Sequence, residues 1–243
     1  MRHALRHLLD YALPPRCGGC AVPVEAQGRF CAACWGSLHF IGPPWCMGCN
    51  TPFDVAAVAG LRCENCLTRP PRHDGVRAAV AYGGVARRLA LKLKYGGRMG
   101  AATTMAALMR RHLPAGADLL VPVPLHRRRL WQRGYKQAGL IAAALAGDGL
   151  PFATDALIRT RATPVLRGMN GRIRREVVRG AFAVTPAGQA RVAGARIVLV
   201  DDIHTSGATT TACADALLDA GAAGVTVLCW ARVLREDGGT ASD

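Results

Sequence analysis

Eight of the ten cysteines fall into four C-x-x-C pairs within the first 66 residues: Cys17/Cys20, Cys31/Cys34, Cys46/Cys49 and Cys63/Cys66. A C-x-x-C turn presents two thiolates to one tetrahedral ion, and two such turns complete a closed four-cysteine shell. Ten residues separate Cys20 from Cys31 and thirteen separate Cys49 from Cys63, which favours consecutive pairing into two zinc ribbons. An interleaved pairing, first with third and second with fourth, satisfies the same spacing. Disulfides compete with metal, but a C-x-x-C disulfide staples little chain, and a reducing compartment disfavours it. Iron–sulfur ligation also uses four cysteines, yet evenly repeated pairs fit structural zinc better. Zinc binding supplies roughly 10–16 kcal/mol of folding free energy per site. Its closed shell leaves no position for water or substrate, so this metal is expected to hold the fold and not to catalyse.

The remaining chain is long enough for one sizeable core. The segment Thr68 to Gly75, with Pro70, Pro71 and Gly75, punctuates the end of the cysteine-rich part. The expected organisation is an N-terminal helix and double zinc ribbon over 1–70, a second domain over 71–235, and a disordered tail over 236–243. No run of about 18 apolar residues is present, so no membrane insertion is expected. Arg2, His3, Arg6, His7 and Asp10 interrupt Met1–Leu13, which reads as a short amphipathic helix and not as a secretory leader. A cytoplasmic location follows as the expectation.

Net charge is +15, and two tetrathiolate zinc sites would each add a net −2 and leave +11. Such a balance points to polyanionic partners, either nucleic acid or a diphosphate-bearing ligand. Aromatic residues make up 5% of the chain, so contacts to single-stranded DNA would fall mostly on phosphates.

The run Ile197-Val198-Leu199-Val200-Asp201-Asp202-Ile203-His204-Thr205-Ser206-Gly207-Ala208-Thr209 carries the clearest functional signal. Four aliphatic residues suit a central parallel strand buried on both faces, and polarity switches at Asp201. The two acids are therefore expected at the strand's carboxyl end, where open α/β sheets bind ligands. Thr205, Ser206, Gly207, Ala208 and Thr209 form a small, hydroxyl-rich turn, and a helix over about 209–220 would aim its free N–H groups into it. A phosphate monoester fits that turn. Ionised Asp201 and Asp202 would accept hydrogen bonds from neighbouring ribose hydroxyls. An Asp-Asp pair after a strand can equally be a simple helix cap. His204 invites a general-base role, but a residue in such a turn is expected to point to solvent. Cys213 and Cys229, set among alanines and valines, read as buried core thiols.

A second aliphatic strand over Asp118–Pro124 leads into a basic stretch with Arg127, Arg128 and Arg129, then a helix over Ala138–Leu145. Guanidiniums after a strand's carboxyl end are natural diphosphate clamps, although an arginine run is also a common solvated face. Upstream, Val76–Tyr82 reads as a strand, Gly83-Gly84 as a turn, and Val85–Tyr95 as a helix with Leu89 and Leu93 on one face. Lys92, Lys94 and Arg98 crowd its exit, either as a solvated helix end or as ligands.

The Asp201–Thr209 segment resembles the signature of type I phosphoribosyltransferases for 5-phosphoribosyl 1-diphosphate (PRPP). Pro122-Val123-Pro124-Leu125-His126-Arg127-Arg128-Arg129, Arg133-Gly134-Tyr135-x-Gln137-Ala138 and Leu93-Lys94-Tyr95-Gly96 resemble the ComF family. That resemblance covers nearly the whole chain. It implies a double zinc ribbon joined to a mostly parallel α/β sheet flanked by helices, of the type I phosphoribosyltransferase kind, with a link to DNA uptake in natural transformation. Asp201 and Asp202 would then hold the ribose 2′ and 3′ hydroxyls, and residues 205–209 the 5-phosphate. Arg127, Arg128 and Arg129 would hold the diphosphate, with Mg²⁺ bridging diphosphate and ribose oxygens. The acceptor base is unspecified. The chain departs from the family pattern at Lys136, where Asn is common, and at Leu166 and Val177, which replace polar residues of the hood over the acceptor. The competing reading is a nucleic-acid-binding adaptor whose PRPP domain does not catalyse.

Overall fold

The computed structural model describes residues 14–53, 60–96, 99–125, 137–147, 149–164 and 169–234. The expected helix over 1–13 and the tail over 236–243 lie outside them.

Each half of the cysteine-rich part repeats one backbone design. Cys17 N–H donates to Val22 O and Ala21 N–H returns to Cys17 O, while Cys46 N–H donates to Thr51 O and Asn50 N–H to Cys46 O. Ala21 (φ 68°) and Asn50 (φ 60°) close the two knuckles in the left-handed region. Isolated antiparallel bridges, Arg16 to Pro23 and Trp45 to Pro52, complete each ribbon. The second cysteine pair of each lies at a one-turn helix, α1 (Ala32–Gly36) or α2 (Glu64–Thr68).

Beyond the ribbons come β1 (Val76–Ala81), α3 (Gly84–Gly96), α4 (Met99–Met109), a 3₁₀ turn over Arg110–His112, β2 (Leu119–Pro122) and α5 (Gln137–Ala146). Next are β3 (Leu157–Arg159), α6 (Gly171–Val178), β4 (Phe182–Val184) and α7 (Pro186–Val192). The chain ends in β5 (Arg196–His204), α8 (Ala208–Asp219) and β6 (Gly224–Arg232). Four strands form one parallel sheet in the order β1-β6-β5-β2, and β3 pairs antiparallel with β4 as a separate hairpin. Observed and expected bounds agree closely for α3, α5 and α8. Pro122 is tolerated because β2 lies at an edge and ends there.

Alternation along the central strands divides the core into two layers. Val198, Val200, Leu228 and Trp230 meet Leu89 and Leu93 of α3, Met105 and Met109 of α4, and Ile141 and Leu145 of α5. On the other face, Ile197, Leu199, Val225, Val227 and Cys229 meet Cys213, Ala214 and Leu217 of α8. Cys213 and Cys229 are thus core thiols as expected, and burial pushes both up, so they stay neutral.

The ribbons are welded to this sheet. Cys17, Cys34 and Leu38 belong to the first core layer and Ile41 to the second. Residues 39–41 pair with β1, with Ile41 N–H donating to Ala79 O and Ala81 N–H to His39 O. The side chain of Asn50 accepts from Ala78 N–H at 2.7 Å. An otherwise open parallel edge is covered in this way. The segment expected as a linker is docked as well: Asp74 N–H donates to Val225 O, and Arg72 pairs with Asp219 at 2.7 Å.

Candidate functional site

Thiol positions settle the pairing of the cysteines into consecutive tetrads. Cys17, Cys20, Cys31 and Cys34 form one group and Cys46, Cys49, Cys63 and Cys66 the other, with the ligand atoms of each within 4.8 Å of one another. The facing thiols Cys20/Cys31 and Cys49/Cys63 are 3.6 Å apart in both. Burial raises Cys17 and Cys46, but knuckle N–H groups outweigh it and bring them down to about 6 and about 7. At Cys34 burial and the neighbouring thiols act together and push it up to about 12. A bound cation relieves that crowding, because zinc is held by thiolates. The donor sets fit structural zinc.

Glycine is required in each knuckle for a reason the spacing alone did not disclose. A Cβ at Gly19 would lie 2.6 Å from Cys34 Sγ, and one at Gly48 would lie 2.9 Å from Cys66 Sγ. Lys92, expected as a solvated helix end or a ligand, does neither. Its Nζ donates to the carbonyls of Gly18 and Gly19 at 2.9 Å each, clipping α3 to the first knuckle.

The second site lies at the carboxyl edge of the sheet. β2 and β5 are adjacent, and the helices that follow them pack on opposite faces, α5 on one and α8 on the other. Loops therefore diverge and leave a crevice between the strand ends. It holds a cavity of about 180 Å³ lined by Val123, Pro124 and Leu125 after β2, by Arg159, and by Asp201 and the residues from 203 to 210. That volume is below the roughly 300–1,000 Å³ that encloses a drug-sized molecule.

Strand β5 does not stop at Asp201; it runs on to His204, because Ile203 and His204 still pair with Ala231 and Arg232 of β6. The acids lie in its carboxyl half. Asp201 accepts from Asp202 N–H at 2.9 Å and Asp202 from Ile203 N–H at 2.8 Å. Asp201 lines the cavity, whereas Asp202 is not among the lining residues. The expectation of an ionised Asp201 is corrected: burial first, and then repulsion from Asp202, push its carboxyl well above the usual carboxylate range.

Thr205, Ser206, Gly207, Ala208 and Thr209 all line the cavity. Gly207 caps α8 in the left-handed region (φ 75°) and lends no side chain to the cap. The first N–H groups of the helix are left facing the crevice, as an anion requires. A Cβ at Gly207 would stand 3.1 Å from His204 Cε1. His204 itself overturns an expectation: it is 5% exposed and does not point to solvent. Its Nδ1 lies 3.4 Å from Thr210 Oγ1, and burial, with help from Arg232 and His73, lowers its pKa to about 3. A neutral, enclosed imidazole of that kind supports the turn from behind.

Arg127, Arg128, Arg129, Lys136 and Leu166 lie outside the described residues. Val177 is packed against the second core layer. Sequence reasoning missed Arg159, whose approach to the crevice depends on how the β3–β4 hairpin folds back. It also missed Arg232, which donates to Thr51 Oγ1 at 2.7 Å and so ties the end of β6 to the second ribbon.

Residues 8–67 match the model of the double zinc ribbon domain. The DNA utilization protein YhgH of Escherichia coli O157:H7 is 30% identical over 236 residues, covering 91% of this chain and 99% of that protein. Competence protein F of Haemophilus influenzae is 27% identical over 198 residues, covering 74% and 86%. Among solved structures, the glutamine PRPP amidotransferase from B. subtilis, complexed with ADP and GMP, aligns with a TM-score of 0.39 at 21% identity. That alignment covers 57% of this chain and 30% of the amidotransferase.

Proposed function

The chain belongs to the ComF family of DNA-utilization and competence proteins, and on that premise we propose that the crevice between β2 and β5 binds PRPP. One observation carries the reading: an anion-ready turn at the start of α8 and the carboxyl of Asp201 line a single cavity at the sheet's carboxyl edge. In this reading residues 205–209 bind the 5-phosphate through backbone N–H groups and hydroxyls. Asp201 and Asp202 orient the ribose by accepting hydrogen bonds from its hydroxyls. Arg127, Arg128 and Arg129 hold the diphosphate. Hard carboxylate oxygens and phosphoryl groups are the donors Mg²⁺ prefers, and the ion, when bound with PRPP, offsets the charge of the diphosphate.

Pentosyl transfer at such a site is a displacement. A nucleophilic nitrogen of the acceptor forms a bond to carbon 1 as the bond to diphosphate oxygen breaks, and the diphosphate leaves with the electron pair. The protein's work is to orient the sugar and stabilise charge, with no covalent nucleophile of its own. Val177, apolar and packed against the second core layer, leaves less polarity there for an acceptor.

Calorimetry with PRPP and Mg²⁺ tests the binding step on the wild type and on Asp201→Asn/Asp202→Asn. Binding should be saturable in the first and at least tenfold weaker in the second; equal, weak heats in both would remove the proposal. Diphosphate release with a panel of bases then separates an enzyme from a binder. A second reading rests on the net charge of +15 and on the names of the relatives: zinc ribbons and basic loops that contact single-stranded DNA for uptake or utilization. Its signature is a steep loss of DNA affinity with rising salt.

A further inference from the structure

Arg159 is the one cation among the described residues that line the cavity, and it arrives from the separate β3–β4 hairpin, not from the four-stranded sheet. It ends β3 and sits opposite Phe182 of β4 in the hairpin register. Its guanidinium carbon lies 5.3 Å from the centre of the Phe182 ring, and its Nη2 donates to Thr163 Oγ1. Stacking on one face and a hydrogen bond at one edge hold the fork in a fixed attitude, which suits it to a planar or tetrahedral oxyanion.

The hairpin and α6 pack on α8, and Arg159 shares the cavity wall with Ala208, Thr209 and Thr210 at the start of that helix. Its charge is felt by Cys213, which lies little more than one turn into α8 and which Asp201 also reaches. Arg159, Asp201 and the turn that starts α8 therefore converge on one small space. The described residues that line the turn itself, Thr205 to Thr210, bring hydroxyls and N–H groups but no formal positive charge. A phosphate dianion seated there would otherwise be balanced by dipoles alone.

We propose that Arg159 is a ligand-binding residue of this site, contacting the phosphoryl group held by the turn before α8, so that the β3–β4 hairpin as well as the sheet edge reads the 5-phosphate. This rests on the pentose-phosphate reading of the crevice. It selects phosphorylated pentoses against free ones.

The test titrates zinc-loaded protein with ribose 5-phosphate and with PRPP–Mg²⁺, on the wild type, Arg159→Met and Arg159→Gln. Methionine preserves apolar contact with Phe182, and glutamine can still donate to Thr163, so at least one uncharged variant should fold with an unchanged melting temperature. The expected result is a loss of at least tenfold, by the same factor for both ligands, together with a shallower salt dependence. Wild-type affinity in a folded variant overturns the proposal, and so does a loss confined to PRPP, which would place Arg159 on the diphosphate. Failure of the wild type to bind either ligand sinks the underlying reading instead, which keeps the two failures apart.

Discussion

Lowering pH should destabilise this protein through His204, by an amount that can be worked out. The imidazole is 5% exposed, and burial, the Arg232 guanidinium and His73 bring its pKa from 6.5 to about 3. In the unfolded chain the same ring protonates near its ordinary value. Between pH 6.5 and about 3 the unfolded state therefore binds a proton that the native state refuses, so stability rises with pH across that window and is fully present above it. Each pH unit corresponds to about 1.4 kcal/mol, so moving from pH 7.5 to pH 5 should remove about 2 kcal/mol, a large part of a typical 5–15 kcal/mol stability. The comparison is His204→Gln, which keeps a polar group for Thr210 but cannot titrate. Urea unfolding of both zinc-loaded proteins at pH 7.5, 6 and 5 cancels every other titration they share, including that of the cysteines. The stability of His204→Gln relative to wild type should climb by about 2 kcal/mol over that range. A difference that stays flat with pH would refute the reasoning, because a ring open to water would not discriminate between the two states.

Two further outcomes follow from the same geometry. The carboxyl of Asp201 is raised by burial and by Asp202, so the native state keeps a proton that the unfolded chain releases, and stability falls as pH rises above the ordinary carboxylate range. Asp201→Asn should melt higher than wild type at pH 7.5 without ligand, while losing the thermal shift that PRPP gives; an unchanged or lower melting temperature contradicts the burial argument. Gly19→Ala and Gly48→Ala drive a methyl group to 2.6 and 2.9 Å from a ligand sulfur, so each should lose one of two zinc equivalents by metal analysis. Gly36→Ala, with nothing within 4 Å, should keep both.

Much of the frame was legible because it depends on local periodicity. Leu89 and Leu93 share the buried face of α3, the aliphatic run before Asp201 is a central strand, and α8 begins one residue from its expected start. Ladder pairing is not local. β5 continues through its two acids and His204 because β6 offers partners opposite them, which no polarity pattern along β5 reveals. His204 is buried for the same reason: its solvent is replaced by Thr210, Arg232 and the Gly207 turn. Lys92 looked like a charged helix exit until the first knuckle put two carbonyls within its reach.

Residue order alone determined the chemical inventory: eight cysteines in metal-ligand spacing, an aliphatic run followed by paired acids, and a small turn before a helix. These are short-range patterns whose chemistry is carried by spacing along the chain. Only the tertiary structure decided which cysteines share an ion, that Asp201 and not Asp202 lines the cavity, and that Arg159 reaches it from 42 residues upstream. Those are matters of which chain segments meet and what water they exclude, and burial, not identity, sets the charge each side chain carries there.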